Sequence, residues 1–320
     1  MHAAGLPGQP SRHRGGQPMT HTETAAVANS IMCELGEGPV WDPIRRQLLW
    51  IDIQRGAVHV GELDSSGRVT SVGLHLFDGT VGAVAVAVDG SWVVAGAHQI
   101  FRYVHGRPGE GVTVISSSEP RRTNDGKPDP AGRFVIGTLA VEGASSTEVL
   151  VRMDADGVTT LDEDLTLSNG LAWSGDAATM YSIDTLRRRV YARDYDAVSG
   201  AVGERRTHLQ IEDGYPDGIC LDAEEHLWVA VWGSGQVRRY SPTGELEAVI
   251  TVPAPHVSSV AFAGDGLDTL IITTATQDLT VSQMSTHPLS GQLFSFKPDV
   301  PGLPVALWNG HLPDERTEIR

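Results

Sequence analysis

The sequence predicts an all-β fold, a six-bladed β-propeller of four-stranded antiparallel blades, and three observations carry that expectation. Glycines that open similar strings recur at Gly38, Gly82, Gly126, Gly170 and Gly218, spaced 44, 44, 44 and 48 residues apart, the period of one propeller blade. The runs LLWIDI, WVVAGA, RFVIGTL, MYSIDT, LWVAVW and TLIITTA are short, rich in β-branched and aromatic residues, and bounded by Asp, Gly, Pro and Ser. No stretch sustains an amphipathic helical period, which argues against an α/β arrangement.

Taken in order, residues 1–22 are rich in Gly, Pro, His and Arg and have too few apolar side chains to offset the entropy of ordering. They are expected to form a disordered leader, with Met19 a candidate start, and residues 23–320 a single propeller domain. Segment 24–33 is expected to close the ring by pairing with the last blade, which shields sheet edges. Five blades then follow the glycines, and a sixth copy, SSVAFAGDGLDTLIITTA, starts near Ser258 without one.

Composition narrows the function. With 24 basic and 40 acidic residues among 320, the formal charge is −16, which disfavours a nucleic-acid partner held by clustered Lys and Arg. The longest apolar runs, such as 81–88, fall far short of the ~20 residues that span a bilayer, so no membrane partner is expected. Cys33 and Cys220 form no CxxC pair and fit a reducing, cytoplasmic compartment. No protein partner is indicated.

The candidate chemistry lies in the residues before each repeat glycine: Glu37, Val81, Asp125, Asn169 and Asp217. Inner strands of a propeller start at one mouth of its channel, so these side chains converge. Asp and Asn also favour turns, which explains Glu37 poorly. Converging carboxylates repel unless a cation or proton intervenes, and carboxylate and amide oxygens suit one divalent cation: Ca²⁺, Mg²⁺ or Mn²⁺, with Zn²⁺ and Fe²⁺ possible. Arg122, Thr123 and Asn124 bring a cation and an amide beside that point.

The strings LGEGPVWDP, RTNDGKPDPAGRFVIGTL, LSNGLAWSGD and PDGICLDAEEHLWVAVWGSGQVRRYSPTGE resemble those of the regucalcin and gluconolactonase family of six-bladed propellers, over roughly residues 31–310. The resemblance implies hydrolysis of sugar (aldono-) lactones with one divalent cation on Glu37, Asn169 and Asp217. It also implies substrate contacts from Arg122, Asn124 and Glu142. Thr123 stands where relatives often carry a larger aromatic residue. Asp217 has a second candidate role, as the catalytic base. The rival functions are a non-catalytic calcium-binding scaffold and an arylester or organophosphate hydrolase; the polar string RRTNDGK opposes the latter.

No G-x-S-x-G or H-E-x-x-H motif occurs. The string DADG at 154–157 is a hairpin turn rather than an EF-hand, since Leu165 occupies the position of the loop's final Glu. Trp41 and Asp42 are expected as core tryptophan and turn aspartate. Asp184 either hydrogen-bonds a substrate or caps a turn, and His226 and His256 either approach the mouth or lie on the surface.

Overall fold

The computed structural model describes residues 21–116 and 119–313; residues 1–20 of the expected leader lie outside them. Among the described residues, six sheets, each with four antiparallel strands, form a six-bladed propeller. Blade 1 comprises Gly36–Asp42, Gln47–Asp52, Ala57–Leu63 and Val69–Leu76, and blades 2 to 5 begin with the inner strands Val81–Val86, Arg121–Pro128, Ser168–Trp173 and Tyr215–Leu221. Blade 6 runs Val257–Ala263, Thr269–Thr274, Leu293–Phe296 and, from the chain's start, Ala26–Asn29.

The ring closes as the sequence suggests, with Ala26 opposite Ser295 and Val27 opposite Phe294. The chain adds a second clasp. His21–Thr24 lies parallel to Leu246–Thr251 as a fifth strand of blade 5, pairing His21 with Ala248 and Thr22 with Val249. His21 and Thr22 therefore belong to a sheet and not to a disordered leader, because an open outer edge takes up any extended backbone whatever its side chains.

Apolar residues pack in six clusters, and each draws on two neighbouring blades. Leu48, Trp50 and Ile271 join blades 1 and 6, for example, and Phe134, Ile136, Val93 and Ile100 join blades 3 and 2. Alternation along each strand buries both faces of every blade in this way.

Two local devices repeat. At the turns following inner strands, Asp42, Asp129 and Asp222 each accept backbone N–H bonds from their own turn, at 2.9–3.1 Å. Arg45, Arg133 and Arg239 pair with them in turn. At the other end of the blades, Asp52 accepts from Glu34 and Leu35 N–H, and Asp184 from Thr166 N–H and the Thr166 hydroxyl. Asp184 is thus the turn cap of the two alternatives, fully buried and paired with Arg187 at 3.2 Å.

Near the end of the described residues, segment 301–309 crosses the face of the ring where the inner strands end. It is bonded to blades 5 and 6 at one end (Leu303 N–H to Leu221 O, 3.0 Å; Gly302 N–H to Leu267 O, 2.8 Å) and to blade 2 at the other (Trp308 N–H to Val86 O, 2.8 Å). Trp308 is fully buried and anchors the far end.

Candidate functional site

Every inner strand is irregular at its start. Register shifts fall between Glu37 and Val40, Val81 and Ala83, Thr123 and Gly126, Asn169 and Leu171, Pro216 and Ile219, and Val257 and Ser259. A bulge re-aims a side chain that regular pleating would send into a blade interface. The residues before the repeat glycines sit on these bulges, and the glycines permit the crowding. A Cβ on Gly82 would stand 2.7 Å from the Asn124 and Thr123 carbonyl oxygens, and one on Gly170 would stand 2.5 Å from the Asp217 carbonyl oxygen. Gly82, Gly170 and Gly218 thus mark close contact with the next inner strand, whereas Gly126 crowds the second strand of its own blade and Gly38 adopts a positive φ of 45°.

Glu37, Asn169 and Asp217 are all buried, and they meet. Asp217 interacts with the Glu37 carboxyl and the Asn169 amide, yet its Oδ1 is buried without a hydrogen-bond partner. Glu37 accepts the Gly38 N–H at 3.0 Å. Burial pushes the Glu37 carboxyl up to about 8, with the Asp125 charge adding to the rise and Gly38 and Arg122 opposing it. Asp217 is raised well above the ordinary carboxylate range, by burial first and by the Glu37 and Asp125 charges next. Burial also raises Asp125, against the pull of Lys127. Charged carboxylates this close together, with so few donors, favour either a shared proton or a cation.

The amides are held more firmly. Asn169 donates Nδ2–H to the Thr185 hydroxyl at 3.1 Å, and that hydroxyl donates to the Pro216 carbonyl at 2.9 Å, one residue before Asp217. Thr185 therefore turns the Asn169 oxygen away from itself and ties blade 4 to blade 5. Asn124 donates to Ser168 O at 3.0 Å and to Asn169 Oδ1 at 3.1 Å, and accepts from Arg122 at 2.9 Å. Its two amide hydrogens are committed inside the protein, which leaves one Oδ1 lone pair for a substrate. Arg122 is buried beside Glu37 and Asp217; desolvation lowers its pKa to about 10, and those two carboxylates hold it up.

Glu142 stands apart, exposed on the loop after Phe134–Ala140, with no hydrogen bond to this network among the described residues. Thr123 is fully buried and donates to Gly96 O at 2.7 Å, so it forms no wall of a pocket. His226 pairs with Glu247 at 3.0 Å beside the Asp222 turn, at the opposite end of the blade. His256 stacks on Trp232 at 4.1 Å between centroids and bonds the Gln277 carbonyl at 2.9 Å. Sequence reasoning missed Thr185; its only signal was its place after the YSID strand, which pairs with the strand of Asn169 in the same blade.

A shared proton satisfies two carboxylates, but it leaves Asp217 Oδ1 without a partner; a divalent cation with oxygen ligands satisfies both. Among the described residues, no three His, Cys, Asp or Glu side chains form a metal-binding group by themselves. A cation at this point would need the Asn169 amide oxygen together with the two carboxylates.

Comparison with known proteins agrees with this architecture. The chain is 35% identical to the pentonolactonase XacC of Haloferax volcanii over 261 residues, covering 80% of this chain and 86% of that one. It is 34% identical to a 6-deoxy-6-sulfogluconolactonase of Pseudomonas putida over 282 residues, covering 86% and 95%. Among solved structures, the calcium-binding protein regucalcin of Agrobacterium tumefaciens superimposes with a TM-score of 0.85 at 28% identity, covering 91% of this chain and 99% of that one. Residues 35–276 match the family model described as SMP-30/Gluconolactonase/LRE-like region, and the chain belongs to that family.

Proposed function

We propose that this protein hydrolyses sugar lactones to aldonic acids at the Glu37, Asn169 and Asp217 cluster. The observation that carries the reading is the partnerless, buried Asp217 Oδ1 beside a second carboxylate and an oriented amide, in a chain whose relatives include named lactonases. Glu37, Asn169 and Asp217 would hold one divalent cation, which supplies Lewis acidity toward a lactone carbonyl oxygen.

The chain's own groups do the rest. With one Asp217 oxygen toward the cation in place of its contact with the Glu37 carboxyl, the other would accept a water molecule's proton as that water attacks the carbonyl carbon. The bond from that carbon to the ring oxygen breaks, and the proton passes from Asp217 to the departing ring oxygen. Arg122 remains charged at neutral pH and offsets negative charge developing at the carbonyl oxygen. The free lone pair of Asn124 Oδ1 and the exposed Glu142 carboxylate accept from sugar hydroxyls, which penalises lactones that lack them.

The test is a set of five- and six-membered aldonolactones offered to metal-stripped protein reloaded with one ion at a time, followed by proton release. Hydrolysis that returns with the ion supports the reading. Metal binding with lactone opening no faster than the spontaneous rate would reject it in favour of a calcium-binding scaffold.

A further inference from the structure

Along the inner strands, beside Asp125, lies a chamber that the proposed reaction does not use. It has a volume of about 380 Å³, and Trp41, Val84, Val86, Val260, Phe262 and Leu307 are among its walls. A second cavity of about 310 Å³ lies on the other side of the crossing segment 303–306, which lines both. Clefts and cavities of ~300–1,000 Å³, mostly apolar with a few polar groups, are the usual form of small-molecule sites.

The polar group common to both cavities is Lys127. Its ammonium donates to the Ile219 carbonyl at 3.1 Å, and among the described residues no carboxylate forms an ion pair with it. Asp125, two residues nearer the carboxylate cluster, lines only the first cavity. An anion can therefore approach Lys127 from the second cavity, away from Asp125. A half-buried ammonium with hydrogens to spare, set in apolar walls, recognises one negative charge on an apolar body. An aldonate fits this second cavity poorly, because most of its hydroxyls would lose water without gaining partners. The floor is the crossing segment, bonded to the ring near residues 302–303 and 308–309; residues 304–307 make no backbone hydrogen bond among the described residues.

We propose that the second cavity is a binding site for a small aliphatic monocarboxylate, its head on Lys127 and its chain against Trp173, Leu221 and the segment 303–306. The site is separate from the lactone site and does not depend on that assignment.

The experiment titrates the full-length protein with hexanoate, 1-hexanol and gluconate by calorimetry and ligand-observed NMR. Hexanoate is expected to bind at least tenfold more tightly than hexanol, to lose that preference in Lys127→Met, and to resist displacement by gluconate. Ala306→Trp, which fills the second cavity from the crossing segment without altering Lys127, should abolish hexanoate binding and covers the case in which Lys127→Met does not fold. Three results would overturn the proposal: no hexanoate binding; equal affinity for hexanoate and hexanol, which would make Lys127 only the counter-charge of Asp125; or displacement by gluconate, which would put hexanoate in the lactone site.

Discussion

The two ends of the inner strands handle buried carboxylates in opposite ways. Where the strands end, Asp129 is fully buried and accepts from Ala131 N–H, Arg133 N–H, the Arg133 guanidinium and the Tyr195 hydroxyl. Where they start, Glu37 and Asp217 are buried too, but face one another and Asp125 with few donors between them. The first arrangement stabilises a turn. The second raises carboxylate pKa values and leaves an oxygen without a partner, which costs stability and is what a ligand-binding site requires.

The sharpest way to break this contrast is to remove one carboxylate from each end. Asp217→Ala should abolish turnover and weaken divalent-cation binding at least about a hundredfold, since a direct ligand should matter more than the outer partners worth about 10–100-fold. Its metal-free melting temperature should hold or rise, because a repelling charge has gone. Calorimetric titration and thermal melts check both; tight ion binding in this variant would remove Asp217 from the site.

Asp129→Ala should do the reverse. Removing one partner of a buried ion pair costs about 3–5 kcal/mol, or roughly 5–10 °C in melting temperature for a chain of this size. The cation affinity of the folded fraction should stay near wild type. A variant that melts like wild type would show the turn network to be dispensable.

A third test uses pH. Glu37 is raised from 4.5 to about 8, so the folded protein binds a proton more tightly than the unfolded chain. Its contribution is present below about pH 4.5 and is lost as pH rises through about 8, so metal-free protein should melt lower at pH 8 than at pH 5. Added divalent cation should flatten the slope, and so should Glu37→Gln. An unchanged slope in that variant would assign the effect to other groups.

The smallest expected effect belongs to Thr185. Thr185→Val removes the hydroxyl that orients Asn169 while keeping the shape, and cation affinity should fall about tenfold, as for other partners that orient ligands. Thr185→Ser should restore it. Equal affinities in wild type and Thr185→Val would show that Asn169 is held by Asn124 alone.

Much of this was legible in the sequence for a physical reason that particular residues illustrate. The turn bonds of Asp42, Asp129 and Asp222 to backbone N–H groups span two to four residues, so composition and local order reveal them. The site bonds from Asn124 to Ser168 and Asn169 span 44 and 45 residues, one blade, so the repeat period carried them too. The convergence of Glu37 with Asp217 followed from equivalent places in the repeat.

What depends on no period needed the folded chain. His21–Thr24 joins blade 5 through backbone hydrogen bonds that its side chains do not announce, and residues 301–309 lie outside the repeat altogether. The commitment of both Asn124 amide hydrogens, the orientation of Asn169 by Thr185 and the partnerless Asp217 Oδ1 are matters of ångströms and angles. A sequence sets which groups converge by the spacing of its repeats; which of them end satisfied depends on donors that arrive from other blades.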